Sequence, residues 1–582
     1  MKTAFNLIIL ILILLSCSSN KKILVSDSES EYDIEDILIK TRDGGTISGM
    51  IARKKGETSK KTVILQFTIY VRDAGKGTGR DIETIKQSVD KGYIGVIAYT
   101  RGKRFSPDEI FPYEHDANDT YDVIDWISKQ KWSNGQVGMF GGSYNGFTQW
   151  AATKKLHPAL KTIVPYVANR PAMGLPMENN VFVNPNYEWS FYVGNDKYLD
   201  TLAGNDRQRF RNMMFKWWEI GAAYNKLDSI DNAPNRLFQR WISHPSYDEY
   251  WQNMSPYKEE FAQITIPVLS IDGYYNDSQN SSLYYLKEHY KYNPNAEHYL
   301  IIGPYSHFGA QRKGAKEIEG YTVDKDALID TNEITYQWFD YIFKNGNKPK
   351  MLKDKINYQV MGANEWGNAS SIEKMSNKNL KFYLTNKKAV DFYELNSEKP
   401  LKNTFHYQEV DFANREIMNN DYYPSPIIRD EMDKTNGFNF ITEPFEEDII
   451  VNGSFMGQLN VSINKKDFDY GVTLYEVMPN GQYFHLSYIV GRASYANDIT
   501  KRKLLTPNEI EKIPFTNTHL VSKKLSKGSR LLVYINVNKN PFAELNYGTG
   551  KEVTKETIHD ADEPLKIKWY TDSFVEIPIW KE

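Results

Sequence analysis

Three observations predict an α/β fold: a doubly wound sheet broken by a helical insertion and followed by a β-rich domain. From Ile34 to Val167 short apolar runs alternate with amphipathic stretches. Between Asn169 and Pro256 strand-like runs give way to segments rich in Trp, Phe and Met. Beyond Lys350 short alternating segments dominate. Apolar strands spaced by helices point to parallel βαβ units, and many short antiparallel strands to a β-sandwich or jelly roll.

Taken in order, the chain opens with Lys2, the apolar run Leu7 to Leu15, and Ser16-Cys17-Ser18-Ser19. A basic start, a short apolar core and a small residue describe a secretory signal, and the run is shorter than the ~20 residues of a transmembrane helix. The polar stretch from Ser18 cannot bury enough apolar surface to order itself and reads as a tether. Thr62 to Phe67, Tyr93 to Tyr99 and Gln136 to Phe140 read as buried strands, with helices over Asp81 to Lys91 and Thr120 to Lys131 between them. In the second helix Val123, Ile124, Trp126 and Ile127 mark the apolar face. The insertion carries helices over Arg207 to Tyr224 and Asn235 to Trp241. Strands resume with Ile266 to Ile271 and Tyr299 to Ile302, and helices cover Ser281 to Tyr290 and Glu333 to Phe343. The expected units are a leader at 1–17, a tether at 18–33, core segments at 34–168 and 257–348 around a cap at 169–256, and a β domain at 349–582.

Composition narrows function. A net charge of −3 with acid and base mixed along the chain argues against nucleic-acid binding, which needs clustered Lys and Arg. Cys17 is the single cysteine, so an internal disulfide and a thiolate zinc cluster are excluded. Neither His-Glu-x-x-His nor a dinucleotide fingerprint occurs, and no cofactor or metal is expected.

The most informative stretch runs from Val137 through Gly141-Gly142-Ser143-Tyr144-Asn145-Gly146 to Trp150. A buried strand feeds a tight turn and then a helix, the setting of a nucleophile elbow. Small residues let the turn close, Ser143 Oγ stands above the sheet, and the helix N-terminus offers N–H groups to an oxyanion. A serine hydroxyl needs a base, and the base needs an orienting partner. In α/β-hydrolases those partners follow the serine in the order acid, then histidine. Two later strand ends fit: Asp272-Gly-Tyr-Tyr-Asn-Asp277 and Gly303-Pro-Tyr-Ser-His307. His307 is the histidine that directly follows a buried strand downstream of those acids.

Gly-Gly-Ser-Tyr-Asn-Gly, Gly-Tyr-Tyr-Asn-Asp and Gly-Pro-Tyr-Ser-His resemble the motifs of the X-prolyl dipeptidyl-peptidase and cocaine-esterase group, which also holds α-amino acid ester hydrolases and acylases. The resemblance covers nearly the whole chain after the tether. It implies an α/β-hydrolase with a helical cap and a C-terminal jelly roll, cleaving peptide or ester bonds without a cofactor. It further implies an oxyanion-hole tyrosine after the first core strand, here Tyr70, acting with the backbone N–H of Tyr144. Arg101-Gly102 resembles a structural turn of the group. Leu14-Leu15-Ser16-Cys17 resembles a bacterial lipobox, which implies export, lipidation of Cys17 and attachment to a cell-envelope membrane.

One position departs from the pattern. Where the group carries its triad Asp, this chain has Asn276, with Asp277 next to it. Asp277 is the favoured partner of His307, with its replacement by Ala expected to abolish turnover. Asn276 orienting the ring without charge, or a crippled site, stay open. Asp116, Asp119 and Glu188 are carboxylates that could receive a substrate ammonium or be ordinary surface charges. The alternatives to a dipeptidyl-peptidase are a small-molecule esterase or acylase and, if the site is dead, a binding lipoprotein.

Overall fold

The computed structural model describes residues 31–72, 79–402, 404–420, 422–432 and 436–581. The leader, Cys17 and nearly all of the expected tether lie outside them.

The core begins with β1 (Tyr32–Lys40), β2 (Thr46–Lys54), β3 (Lys61–Thr68), α1 (Gly79–Asp90), β4 (Ile94–Tyr99), α2 (Asp116–Ser128), β5 (Ser133–Gly142), α3 (Tyr144–Lys154) and β6 (Leu160–Tyr166). The insertion holds two short strands, β7 (Met177–Glu178) and β8 (Val181–Phe182), and six helices. These are α4 (Pro185–Gly194), α5 (Thr201–Asn205), α6 (Arg207–Ile220), α7 (Leu227–Ile230), α8 (Arg236–Ile242) and α9 (Glu249–Gln252). The core resumes with β9 (Val268–Tyr275), α10 (Gln279–Tyr292) and β10 (His298–Ser306). After the small hairpin of β11 (Glu317–Ile318) and β12 (Tyr321–Thr322) come α11 (Thr331–Lys344), β13 (Ile356–Val360) and β14 (Glu365–Ala369).

The ten core strands form one sheet in the order β1-β2-β4-β3-β5-β6-β9-β10-β13-β14. From β4 to β13 every pairing is parallel, and the flanking pairs are antiparallel. Both faces are covered, so the strands are apolar throughout rather than alternating. Ile64 of β3 joins one buried cluster, while its neighbours Val63 and Leu65 join another on the opposite face. The parallel arrangement sends the C-terminal ends of β3, β5, β9 and β10 to one edge, where ligands of open α/β sheets bind.

Two strand ends lie further on than the sequence pattern indicates. β9 continues through Asp272 to Tyr275, with Asp272 opposite Ile302, and β10 continues to Ser306. The insertion also departs from expectation: β7 and β8 are strands, and α4 starts at Pro185. A proline at the first helical position follows Asn184, a start signal for that helix.

Among the described residues the C-terminal domain has fourteen strands in one hydrogen-bonded network, antiparallel except for the pair Phe392–Asn396 and Phe438–Ile441. It is sewn to the cap: Val183 bridges Ala543, and Glu544 accepts from the Phe182 N–H at 3.0 Å. It is also sewn to the core, where Gln279 at the start of α10 accepts from Leu520 N–H at 2.6 Å and donates to the Leu520 carbonyl at 3.0 Å. Within the domain, buried Arg492 donates to both Asp469 and Glu544 at 2.8 Å. Paired charges so deeply buried are costly to separate, because the survivor is left without compensation.

Candidate active site

β5 ends at Gly142 and α3 begins at Tyr144, leaving Ser143 at the corner with φ 61° and ψ −122°. A non-glycine residue held there costs of order 1–3 kcal/mol and persists only where its surroundings enforce it. The enforcement is visible. Ser143 N–H donates to the Tyr166 carbonyl of β6 at 3.1 Å, and its own carbonyl accepts from Gly146 and Phe147, each at 3.0 Å. Gly141 has φ 137°, and a Cβ on it would meet Asn145 Cβ at 2.7 Å. A Cβ on Gly146 would lie 2.8 Å from Ala168 Cα and 2.9 Å from the Tyr166 oxygen. A glycine at position 146 is thus required by the chain leaving β6.

Tyr70 follows β3, and its phenol lies 3.4 Å from Ser143 Oγ. Burial raises the Tyr70 pKa, while the Ser143 hydroxyl, the Trp189 side chain and the Tyr144 N–H favour the phenolate and oppose that rise. The net shift is upward, so the phenol keeps its proton and can donate it. Tyr144 is itself held: its hydroxyl donates to Asp116 Oδ2 at 2.8 Å and accepts from Tyr113 N–H at 3.0 Å. Asp116 is fully enclosed, and burial pushes its pKa up to about 8. Trp189 of α4, stacked 5.7 Å from Tyr113 and 6.0 Å from Trp241, closes this wall from the cap.

His307 stands directly after β10. Its Nδ1 lies 2.8 Å from Asn276 Oδ1 and 3.2 Å from Asp277 Oδ1. Both residues weighed as its partner therefore reach it, from opposite environments. Asn276 is fully buried, whereas the Asp277 side chain is 54% exposed. Desolvation opposes protonation of His307, but the charge and hydrogen bond of Asp277, with a smaller contribution from Asp272, raise its pKa above the ordinary value. At Asp277 desolvation is likewise outweighed, by His307 and the Ser278 N–H, and the carboxyl is held below its usual range. Among the described residues Ser143 Oγ is paired with Tyr70 rather than with His307. Catalytic hydrogen bonds are commonly slack before substrate arrives.

Behind Asn276 lies a residue that the sequence pattern assigned only to a loop. Asp272, at 0% exposure inside β9, accepts from Asn276 Nδ2 at 2.9 Å. The neighbouring wall belongs to the C-terminal domain, where His519 stacks on Tyr488 with ring centres 4.4 Å apart. His519 Nε2 lies 3.7 Å from the buried Glu178 of β7. Tyr488 feels the charge of both Glu178 and Asp277. Phe308, whose ring meets His307 edge-on at 5.5 Å, is 67% exposed.

Of the carboxylates considered for a substrate ammonium, two have structural partners. Asp116 holds Tyr144, and Asp119 pairs with Arg101 at 2.5 Å. Arg101 also grips Asp43 at 2.8 Å, tying the β1–β2 turn to α2, a structural part. Glu188 lies on α4 beside Trp189, its pKa raised by burial against the pull of Arg207. Glu178 escaped the sequence reading because a lone Glu after Met in an aromatic-rich insertion carries no periodic signal. Among the described residues no group of three or more His, Cys, Asp or Glu side chains could hold a metal.

Comparison with known proteins agrees with this architecture. Residues 50–309 match the family model of X-Pro dipeptidyl-peptidase (S15 family), and residues 350–564 match that of the X-Pro dipeptidyl-peptidase C-terminal non-catalytic domain. Cocaine esterase from Rhodococcus sp. (strain MB1 Bresler) is 23% identical over 493 residues, covering 81% of this chain and 85% of that protein. Among solved structures, an α-amino acid ester hydrolase superposes with a TM-score of 0.76 at 19% identity, over 97% of this chain and all of that one. An aminopeptidase from a marine sediment archaeon (Thaumarchaeota archaeon) gives 0.74 at 19% identity, over 95% and 97% of the two chains. With the elbow, the strand-end histidine and two matched family models in the same order, the chain belongs to the X-Pro dipeptidyl-peptidase and cocaine-esterase-like family of α/β-hydrolases, and it is a serine hydrolase acting on acyl bonds.

Proposed function

We propose that this hydrolase cleaves the acyl bond one residue in from a free α-amino group, as X-Pro dipeptidyl-peptidases do, through an acyl-enzyme on Ser143. In this reading His307 Nε2 takes the Ser143 proton as Oγ attacks the carbonyl, then returns it to the departing amine or alcohol. The oxyanion that forms on the substrate carbonyl then replaces the Ser143 hydroxyl as the partner of the Tyr70 phenol and also receives the Tyr144 N–H. Asn276 and Asp277 hold the Nδ1 proton of His307, and Asp277 supplies a charge near the imidazolium. Water then attacks the acyl-enzyme by the same steps in reverse.

The observation that carries the substrate preference is Glu178, a carboxylate 8% exposed on the cap wall, with a histidine at 3.7 Å and an asparagine amide at 3.5 Å as its side-chain neighbours. A substrate ammonium would complete it. The test compares alanyl-prolyl-p-nitroanilide with its N-acetyl form and with p-nitrophenyl acetate, in the unaltered protein and in Glu178→Gln. The expected result is a preference of ~10²-fold or more for the free amine, lost in the variant. Equal cleavage of the blocked peptide, or faster cleavage of the simple ester, would favour the esterase alternative.

We further propose that the protein is exported and anchored through a lipid on Cys17, a reading supported by the basic, apolar and Ser-Cys-Ser order of the first residues. In a bacterial host, Cys17→Ser should move the protein from the membrane to the soluble fraction and abolish incorporation of radiolabelled fatty acid. Unchanged membrane association in that variant would count against the anchor.

A further inference from the structure

An asparagine next to a catalytic histidine carries a specific hazard. Its amide can present either end, and if the NH₂ faces Nδ1 the imidazole must keep its proton on Nε2, where it cannot accept one from serine. In trypsin-like enzymes the corresponding Asp-to-Asn change drops kcat by about 10⁴ for this reason. A chain with Asn276 at this position works only if something decides which way the amide faces.

Asp272 does so by geometry. It lies on β9, fully buried, four residues before Asn276, and one carboxylate oxygen receives Asn276 Nδ2 at 2.9 Å and the Gly273 N–H at 2.7 Å. An ionised carboxylate offers only acceptors, so the amide must turn its donors toward it. Oδ1 is then left facing His307 Nδ1 at 2.8 Å, and Ser278 brings its N–H and hydroxyl to the same oxygen, each at 3.4 Å. The Ser278 N–H that reaches Oδ1 can only donate and the ionised Asp272 that receives Nδ2 can only accept, so a flip would break hydrogen bonds at both ends. The Asp272 pKa is raised by burial, to about 6, which keeps the group mainly ionised at neutral pH.

We infer that Asp272 is a positioning residue of the catalytic apparatus, a buried carboxylate that locks the Asn276 amide and thereby fixes the proton of His307 on Nδ1. The inference rests on the assignment of Ser143 and His307 above and extends it to a four-residue chain, Ser143, His307, Asn276 and Asp272. Asp277, exposed and approaching the same nitrogen from outside, adds charge but cannot fix the amide.

The test is the rate at which a fluorophosphonate labels the full exported chain, with steady-state kinetics on one cleaved substrate alongside. The proteins are the unaltered chain, Ser143→Ala, Asp272→Asn, Asn276→Asp and the exchange Asp272→Asn/Asn276→Asp. Asp272→Asn is nearly isosteric and is expected to cut labelling and kcat by 30-fold or more with KM changed less than threefold. The exchange puts the carboxylate directly on His307 and should recover at least tenfold of that loss. A residue needed only for folding would give no such recovery. Should Asp272→Asn fail to fold, the exchange is judged against Asn276→Asp alone, where removing the inner charge should cost less than threefold. Full activity in Asp272→Asn, or no recovery in the exchange, overturns the inference while leaving the Ser143 assignment intact. Labelling that persists in Ser143→Ala, or is absent from the unaltered chain, overturns both.

Discussion

On one side of Ser143 lie Tyr70 and Tyr144, the proposed oxyanion donors, and on the other the partners of His307. The first side is a stack of buried aromatics whose polar ends are tied inward: Tyr144 to Asp116, Tyr113 to Asn169, and Tyr70 to the serine itself. Its carboxyl, Asp116, is fully enclosed with its pKa raised to about 8. The second side has an exposed carboxylate held below the usual range and a buried amide backed by another carboxylate. One side gains its effect from fixed dipoles in a closed wall, the other divides charge and orientation among separate residues. That difference teaches where the site is tolerant. A wall of packed rings transmits any change of shape, whereas a divided acid can lose one part and keep some function.

The largest effects should fall on the two groups both sides serve. Ser143→Ala and His307→Ala are expected to lower kcat/KM by about 10⁴-fold or more, because removing either member of such a unit costs nearly all of its contribution. On the oxyanion side, Tyr70→Phe removes one donor and should cost about 10²–10³ in kcat with KM little changed. A loss in KM alone would make Tyr70 a packing residue. On the acid side, Asp277→Ala should cost about 10²-fold in kcat, a partial loss rather than the complete one expected when Asp277 alone is taken as the acid. A loss below threefold would assign the charge wholly to Asp272.

The smallest effect is on stability and separates the two carboxyls. Asp116 has a folded pKa raised above its unfolded value near 3.8, so between pH 3.8 and about 8 the folded chain holds the extra proton. Its contribution is most favourable below that window and is lost as pH rises through it. Asp116→Asn, which keeps an acceptor for Tyr144, should therefore melt several degrees above the parent at pH 9 and together with it at pH 4. Asp277, with its pKa lowered, works in the opposite sense: its stabilisation is present above the unfolded value and is lost as pH falls through the folded one. A flat difference in melting temperature for Asp116→Asn would contradict the enclosed environment assigned to it.

Much of this site was legible because its chemistry sits where secondary structure changes. Ser143 was marked by glycines that a tight turn needs, and His307 by its place after a buried strand. Tyr70 stands out only through family resemblance, since one aromatic among 40 tyrosines carries no local signal. Trp189 carries no signal in the sequence because α4 is buried among other elements and shows no amphipathic pattern, although Pro185 announces its start. In the sequence Asp272 reads as loop, because an acidic residue at a strand end suggests solvent. Pairing with β10 carries the strand four residues further and encloses it. The cap strands β7 and β8 are two residues each, below the length at which alternation can be seen.

The central claim is that Ser143 is an activated nucleophile despite an asparagine beside its base. The most direct measurement is the intact mass of the protein after exposure to a fluorophosphonate, with Ser143→Ala as control. A single adduct, absent from the control and mapped to the peptide containing Ser143, is the expected result. An unmodified mass under conditions that label other serine hydrolases would contradict the account and turn attention to a binding role for the cleft.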